Sequence, residues 1–279
     1  MAAVATVLVE LLAVCPNLKV LVTSRILVHA TGEHVFPVSP LATPGTGLSP
    51  EQLEQNDAVR LFLARAQAAK PDFALSTTNA QAVASLCSCL DGLPLALELA
   101  AAWVRLFSLT TLQTRLEHRL PLLVGGPSDQ PGRLRTMRSA IAWSYDLLPP
   151  AEQRLFGRLT VFVGGCTLEA AEIVGIEADS PPSDMSDILE RVASLVDQSL
   201  LQQKVGPDEE SRFEMLETIR EFGLEQLRAS GEEESIRQRH AAWCLALAEE
   251  AAPHLTSAAR DAWMAVLTHE QDNLRSALG

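Results

Sequence analysis

Two pairs of residues in this sequence have side chains and a spacing that could bind a metal ion. His269-Glu270 begins like the zinc-protease pattern His-Glu-x-x-His, but Asn273 stands where the second histidine must be. The pattern is therefore incomplete, and we interpret the segment as a polar helix face. His240 and Cys244 are four residues apart and share a helix face, but no third ligand lies near them in the sequence. Neither pair predicts a metal site.

The patterns for phosphate binding and nucleophilic catalysis are also incomplete. Gly45-Thr46-Gly47 lacks the lysine of a phosphate-binding loop, and no Gly-Lys-Ser/Thr occurs anywhere in the chain. Cys87 and Cys89 would project from nearly opposite sides of a helix, which favours core cysteines over a shared metal. No Gly-x-Ser-x-Gly elbow is present. We therefore predict no catalytic residue and no metal ligand.

The composition predicts an acidic and mostly helical protein. Apolar residues make up 47% of the 279 residues and aromatic residues only 5%, so strand formers are scarce while alanine and leucine favour helices. A formal net charge of −13 would repel phosphate backbones, so we expect direct DNA binding to be disfavoured. Five cysteines, an odd number in a long chain, indicate no disulfide framework and favour a reduced, cytoplasmic setting.

Two apolar runs are too short to predict a membrane span. Val4–Cys15 and Leu93–Phe107 both fall below the roughly 20 residues that a spanning helix needs, and the second contains Glu98 and Arg105. The first run has no basic segment before it, unlike a signal peptide. We expect no membrane association.

The start of the chain has the pattern of a parallel α/β unit. Residues 4–15 predict a helix, Pro16-Asn17 ends it, and Leu18–Thr23 predicts a short buried strand. No later segment offers this strand an obvious partner, and strand backbone groups need one. We therefore expect the chain to open inside a domain whose earlier part is absent.

A helical bundle and then a winged helix are predicted after this unit. A connector rich in Pro, Gly, Ser and Thr leads into the bundle, and Gly125–Gly132 forms a second linker behind it. A hairpin signal at 199–205 and 212–215, placed after several helices, is typical of a winged-helix module. The helices are expected at about 50–70, 78–90, 93–107, 109–120, 134–147, 150–160, 168–175, 186–199 and 216–230.

The charges of the winged helix argue against a DNA patch. Both candidate recognition helices, 168–175 and 186–198, are acidic, and the second has a single basic residue, Arg191. Arg133, Arg135 and Arg138 cluster at the entry of the first helix of the module. Such a cluster is typical of a solvated face or an intramolecular contact.

A helix pair at about 234–252 and 257–278, broken at Pro253, indicates the first unit of a helical repeat array. The predicted fold class is mainly α, with a remnant of an α/β domain and a winged helix carrying a β-hairpin. The predicted domains are an α/β remnant with its linker, a helical bundle, the winged helix, and the first helical hairpin of the array, at residues 1–45, 46–125, 131–230 and 231–279.

Six segments in order resemble one family over essentially the whole chain. They resemble the bacterial STAND-class ATPases, close to NB-ARC proteins, of large LuxR-type and AfsR-type transcriptional regulators. Each motif alone is moderately specific, and the order of all six makes the resemblance strong. The segments are Leu18–Arg25 (LKVLVTSR), Gly92–Ala100 (GLPLALELA), Leu134–Leu148 (LRTMRSAIAWSYDLL), Leu195–Leu201 (LVDQSLL), Met215–Leu227 (MLETIREFGLEQL) and Glu270–Leu278 (EQDNLRSAL).

The resemblance implies a nucleotide-controlled arrangement of domains. In that family a P-loop domain precedes an ARC1-like helical bundle, a winged helix and a tetratricopeptide-like (TPR-like) array, and nucleotide lies between the first three. ADP holds these parts closed, and exchange for ATP opens them for oligomerisation or for DNA binding by a separate effector domain. Residues 1–28 would then be the last helix and strand of the P-loop domain. The expected partners are the missing P-loop and effector domains and further copies of the protein, and ATP or ADP would bind the full-length protein but bind this chain weakly or not at all.

Three residues match nucleotide-binding positions of the family. Arg25 ends the predicted strand and matches the sensor arginine that reaches the γ-phosphate, as suits a guanidinium at the carboxyl end of a strand. Gly92 and Pro94 match the GxP motif, whose proline packs near adenine. The plainer alternative for Arg25 is a surface arginine. For Pro94 it is a proline in the first turn of a helix, a role that is compatible with packing near adenine.

One departure from the family pattern concerns the winged helix. Its relatives in plants and animals carry Met-His-Asp where this chain has Met215-Leu216-Glu217, and their histidine contacts the β-phosphate of ADP. Leu216 cannot donate that hydrogen bond. Neighbouring residues such as Glu217 or Arg220 would then take part in binding ADP to the winged helix.

The sequence therefore predicts a regulatory nucleotide-switch module that couples ADP or ATP state to domain rearrangement. Two alternatives stay open, a DNA-binding winged-helix transcriptional regulator and a protein-interaction scaffold that docks partners on the C-terminal helix pair.

The purified chain should show no measurable ATPase activity, because phosphoryl transfer needs a phosphate loop and Mg²⁺ ligands that this sequence does not contain. A phosphate-release assay checks this. Robust turnover that Arg25→Ala abolishes would contradict it.

Overall fold

Helices make up most of the computed structural model of this protein, and a three-stranded sheet is its only sheet within the described residues. The structure describes residues 2–24, 27–45, 47–116, 119–126, 131–132, 135–175, 184–205 and 211–278. Among the helices of these ranges, none is long and apolar enough to cross a membrane. The predicted mainly helical fold is confirmed.

The first segment differs from its sequence prediction. Helix α1 (Ala2–Val14) forms as expected, but Leu18–Thr23 forms no strand. The prediction of a strand there was wrong for this chain, because no segment among the described residues pairs with its backbone groups. Leu21 is 93% exposed, so the apolar side chains of this segment are not buried either.

The helical bundle begins at a capped turn and contains short helices. The side chain of Ser49 caps α2 (Pro50–Leu53) with a full capping box, and the side chain of Asn56 caps α3 (Asp57–Ala69), so the single helix expected at 50–70 is two helices. Three more α-helices and a 3₁₀ turn complete the bundle: α4 (Ala80–Cys89), α5 (Pro94–Ala101), the 3₁₀ turn (Ala102–Arg105) and α6 (Leu109–Arg115).

The turn between α4 and α5 is held by a close backbone contact. The amide of Leu41 donates a hydrogen bond to the carbonyl of Gly92 at 3.0 Å. Gly92 has a φ of +63°, and a Cβ atom built there would lie 2.0 Å from the carbonyl oxygen of Leu41. Only glycine fits this position, so the turn ties the connector to the bundle.

The winged helix follows the expected order of elements. Its helices lie close to their predicted positions, and the hairpin predicted at 199–205 and 212–215 forms. In the sheet, β3 lies between β1 and β2 and is antiparallel to both. The elements are α7 (Met137–Tyr145), α8 (Pro150–Leu159), β1 (Cys166–Thr167), α9 (Leu168–Gly175), α10 (Asp184–Asp197), β2 (Gln202–Val205), β3 (Ser211–Glu214) and α11 (Glu217–Ser230).

An aromatic cluster packs α11 against α7 and α8. The rings of Tyr145, Phe156 and Phe222 lie 5.5–6.5 Å apart between centroids, mostly tilted or edge to face. Gly223 lets the helices approach, because a Cβ there would lie 2.4 Å from Cγ2 of Thr160. The buried apolar residues of the bundle and the winged helix form one continuous core.

The C-terminal helices differ in detail from the predicted pair. Helix α12 (Glu233–His254) continues through Pro253, which lies in its last turn. The second predicted helix is divided into α13 (Arg260–His269) and α14 (Gln271–Ala277). Helix α12 packs against α9 and α11 of the winged helix as well as against α13 and α14.

Replacing Gly92 by alanine should destabilise the chain by roughly 2–4 kcal/mol, because strain at positive φ adds to a clash with backbone. Thermal and urea unfolding measure this. The matched control is Gly125→Ala, also at positive φ (+86°) but with open space around it, which should cost only about 1 kcal/mol. Equal losses for the two variants would contradict the contact argument.

Candidate nucleic-acid interface

Helix α10 presents one buried and one exposed face. Ile188, Val192 and Leu195 are buried at helical spacing, and they hold α10 against α8 and α9. The outward face is exposed at Asp187, Leu189, Glu190, Ala193 and Asp197. Because α9 and α10 follow β1 in sequence, α10 occupies the position of the recognition helix of a helix-turn-helix.

The exposed face of α10 is acidic. Within the described part of the helix its one cation is Arg191, which lies 3.5 Å from the carboxylate of Asp187. Ser194 donates a hydrogen bond to Glu152 on α8. The face therefore offers hydrogen-bond acceptors and little positive charge to a partner.

The wing strands carry one exposed cation. Lys204 on β2 pairs with Glu214 on β3 across the sheet, and its side chain remains 58% exposed. The tip of the wing, residues 206–210, lies outside the described residues.

The arginine cluster predicted at the entry of the module is partly engaged within the chain. Arg138 donates to both carboxylate oxygens of Glu225 on α11, and its guanidinium lies 6.0 Å from the ring centroid of Phe222. This confirms the predicted intramolecular contact for Arg138. Arg135 is exposed, and Arg133 lies outside the described residues.

The bundle and the winged helix meet at a buried polar junction. The carboxylate of Glu221 accepts hydrogen bonds from the amides of Arg119 and Leu120, and Asp91 accepts one from the amide of Thr218. Burial raises the pKa of Asp91, while the nearby charge of Arg119 lowers it in part. Nη1 of Arg119 and Oγ1 of Thr218 are buried and have no hydrogen-bond partner within the described residues. Nη1 of Arg119 does lie 4.0 Å from the carboxylate of Glu217, so the hydroxyl of Thr218 is the donor of the two that has neither a hydrogen bond nor an ion pair within the described residues.

Of the three residues matched to nucleotide positions, Gly92 and Pro94 lie next to this junction and Arg25 cannot be placed. Gly92 directly follows Asp91 of the junction, and Pro94 forms the first turn of α5, which agrees with its plainer interpretation. Leu216 precedes the first turn of α11. Arg25 lies outside the described residues, so its match to a sensor arginine stays a prediction. Sequence reasoning missed Arg119 and Thr218, because no local pattern marks either residue.

The histidine and cysteine pairs have structural roles. Glu270 and Asn273 are buried, so the interpretation of this segment as a polar helix face was wrong; both bind groups of the winged helix. His240 lies 3.8 Å from Sγ of Cys244, and no group of three metal ligands occurs in the described ranges. Cys87 is buried as a core residue, and burial raises the pKa of its thiol to about 12.

Comparison with known proteins identifies the module. Residues 148–228 match the family model described as a winged helix-turn-helix domain. The chain contains a winged helix-turn-helix domain. Proteins of Mycobacterium tuberculosis (strain CDC 1551) and Mycobacterium bovis, named as candidate HTH-type transcriptional regulators, are each 38% identical over 279 residues. The alignment covers 99% of this chain and 29% of each relative.

A second group of relatives matches a larger share of its own length. An uncharacterized protein of Mycobacterium tuberculosis (strain H37Rv) is 33% identical over 240 residues, which is 85% of this chain and 57% of that protein. The chain thus spans less than two thirds of the curated relatives that it matches.

These findings correct the expectation that direct DNA binding is disfavoured. A winged helix-turn-helix domain and relatives named as HTH-type regulators point to DNA binding instead. The expectation rested on the net charge of −13 and on the acidic residues of the two candidate recognition helices, and neither property reports the winged-helix fold itself.

Replacing Thr218 by valine should leave the free energy of unfolding within about 0.5 kcal/mol of the original or raise it, because an unpartnered buried hydroxyl contributes nothing to stability. The matched control is Thr160→Val. Thr160 is equally buried, but its hydroxyl donates to the carbonyl of Gly157, so this change should cost about 1 kcal/mol. Urea unfolding of both variants measures the difference, and a larger loss for Thr218→Val would show that its hydroxyl has a partner.

Proposed function

We propose that this chain is the winged-helix part of a transcriptional regulator and that it contacts duplex DNA through α10. The observation that carries the proposal is the exposed outward face of α10 at the recognition-helix position. The inner face of α10 packs on α8 and α9, and Glu190 and Asp197 on the opposite face are exposed. The element that enters the major groove in helix-turn-helix proteins is therefore accessible.

The relatives support this proposal at the level of the protein class. Those covering the whole of this chain are named as HTH-type transcriptional regulators, and the chain corresponds to 29% of their length. The DNA contacts of a full-length regulator would include whatever its other parts supply.

The side chains of α10 predict contacts to bases but few contacts to phosphates. Carboxylates such as Glu190 can accept a hydrogen bond from the N4 amino group of cytosine, and Arg191 can donate to guanine. Few cations on this face are available for phosphates. Binding by this chain should therefore be weak and should depend only shallowly on salt concentration, since each phosphate contact contributes to the salt dependence.

A second candidate function is the coupling of nucleotide state to domain arrangement. The buried junction favours it, because Oγ1 of Thr218 and Nη1 of Arg119, which lies 4.0 Å from the carboxylate of Glu217, are donors of the kind that bind phosphate oxygens. Asp91 lies at the same junction, and an anion there would favour the protonated form of its carboxyl group. ATP or ADP is the cofactor that the family resemblance implies, and Gly92 and Pro94 adjoin the junction. Loss of ADP binding in Thr218→Val, with stability unchanged, would support this candidate.

Charge reversal on α10 tests the DNA proposal. Glu190→Lys should strengthen binding to duplex DNA by roughly tenfold at low salt, equivalent to one new charge-assisted phosphate contact. It should also steepen the plot of log affinity against log salt by about 1. Fluorescence anisotropy with a labelled duplex measures both quantities.

The matched control is Glu249→Lys, which makes the same change of net charge at an exposed position on α12. It should change the affinity much less than Glu190→Lys does. Equal effects of the two substitutions, or no binding by any of the three proteins at low salt, would overturn the proposal that α10 faces DNA.

A further inference from the structure

The C-terminal helices are joined to the winged helix by a buried ion pair. Arg212 at the centre of the sheet contacts Glu270 between α13 and α14, and their side chains are only 12% and 6% exposed. Nε and Nη2 of Arg212 also donate to the carbonyls of Gly164 and Gly165, both at 2.9 Å. The guanidinium therefore joins two separate elements, the C-terminal helices and the turn that leads into β1.

Asn273 on α14 completes this contact, which we call the sheet clamp (Arg212, Glu270 and Asn273). Asn273 is fully buried, and its Oδ1 accepts a hydrogen bond from the amide of Val163 at 2.7 Å. Its Nδ2 donates to the carbonyl of Gly165 at 3.0 Å and to Oε2 of Glu270 at 2.6 Å. Each polar side chain of the sheet clamp thus finds its partners in the other element or in the clamp itself.

A second ion pair joins the start of α12 to the helix-turn-helix. Arg158 on α8 is 6% exposed and donates to both carboxylate oxygens of Glu232, which precedes α12. The same guanidinium donates to the carbonyl of Gly175 at the end of α9, at 2.8 Å. The hydrogen bond from Arg158 lowers the pKa of Glu232. We call this contact the helix clamp (Arg158, Glu232 and the carbonyl of Gly175).

Apolar packing fills the space between the two clamps. His240 of α12 lies edge to face against Phe162, with 4.9 Å between ring centroids, and Trp243 packs on the same ring at 5.5 Å. Helix α12 also packs along α9. The C-terminal helices are thus attached at both ends and along their length, and they contact both the first helix of the helix-turn-helix and the sheet that carries the wing.

We propose that α12–α14 act as a lever. Through the two clamps, a movement of these helices is transmitted to the DNA-binding elements of the winged helix. A buried ion pair such as Arg212–Glu270 favours two positions, because a small separation leaves a charge buried without its partner. In the helix clamp only Arg158 is buried, since the side chain of Glu232 is 31% exposed. Both clamps hold the packed helices α12–α14, so we expect them to open together and to release α9 and β3 when they do. In the closed state α9 is held in place, and the outward face of α10, which packs on α9, is exposed. Opening releases α9 and should therefore weaken DNA binding. The DNA part of this inference rests on the proposed function.

Hydrogen exchange of Glu270→Gln tests the lever independently of DNA. This change weakens the ion pair but leaves the groups that bind the amide of Val163 in place. Protection should fall at least tenfold in α14 and, equally, in 163–167, in β3 and at the end of α9, since the clamps open together. A loss of protection confined to 270–278 would overturn the proposal.

The matched control is Lys204→Met, which breaks an exposed ion pair on the same sheet. It should leave protection at 163–167 and in α9 unchanged, and a loss equal to that of Glu270→Gln would also overturn the lever.

A double-mutant cycle covers the case in which the single variant does not fold. Replacing both Arg212 and Glu270 by methionine removes both buried charges, so the double variant should be more stable in urea than the sum of the single changes predicts. Additive losses would show that the two side chains do not act as a unit.

DNA affinity of the same proteins separates the two proposals. If the original chain binds DNA, Glu270→Gln should weaken the binding about tenfold, and an unchanged affinity would overturn the regulatory role. If the original chain binds no DNA, the proposed function fails, and hydrogen exchange alone decides whether the lever exists.

Discussion

The close crossing of α8 and α11 is the constraint on which the rest of the structure depends. Gly223 on α11 faces Phe156 and Thr160, and Gly157 on α8 faces Leu227, so each helix has a glycine where the other approaches. This crossing places the first turn of α11 against the bundle and its last turn beside α12. A larger side chain at Gly223 would separate α8 from α11. It would also disturb the contacts that α11 makes with the bundle and with α12.

Local patterns predicted the helices and the wing because their information lies within a few residues. Helix α9 lies at the predicted residues, and the hairpin was visible as two short runs around a polar turn. The strand at Leu18–Thr23 failed for the opposite reason, since its backbone needs partners that local sequence does not supply. The predicted domain boundaries stay predictions.

The ion pairs that join the elements could not be predicted in the same way. Arg212 and Glu270 are 58 residues apart, and Arg158 and Glu232 are 74 apart, so no periodicity connects them. Net charge failed similarly as a guide to DNA binding. Net charge is a sum over the whole chain, whereas the winged helix is defined by the order of its helices and strands.

The cysteines differ in exposure, so the rate at which each thiol is labelled reports whether its part of the chain has opened. Cys15 is exposed, while Cys87, Cys166 and Cys244 are buried, and burial raises the pKa of the Cys87 and Cys166 thiols to about 12 and that of the Cys244 thiol to about 11. The thiolate is the nucleophile that attacks a thiol reagent, so Cys15 should be labelled quickly and the three buried cysteines only when their surroundings open. Cys166 lies on β1, beside the wing, and Cys87 lies in the bundle. The order in which they become labelled would therefore time the opening of the winged helix against that of the bundle within one molecule.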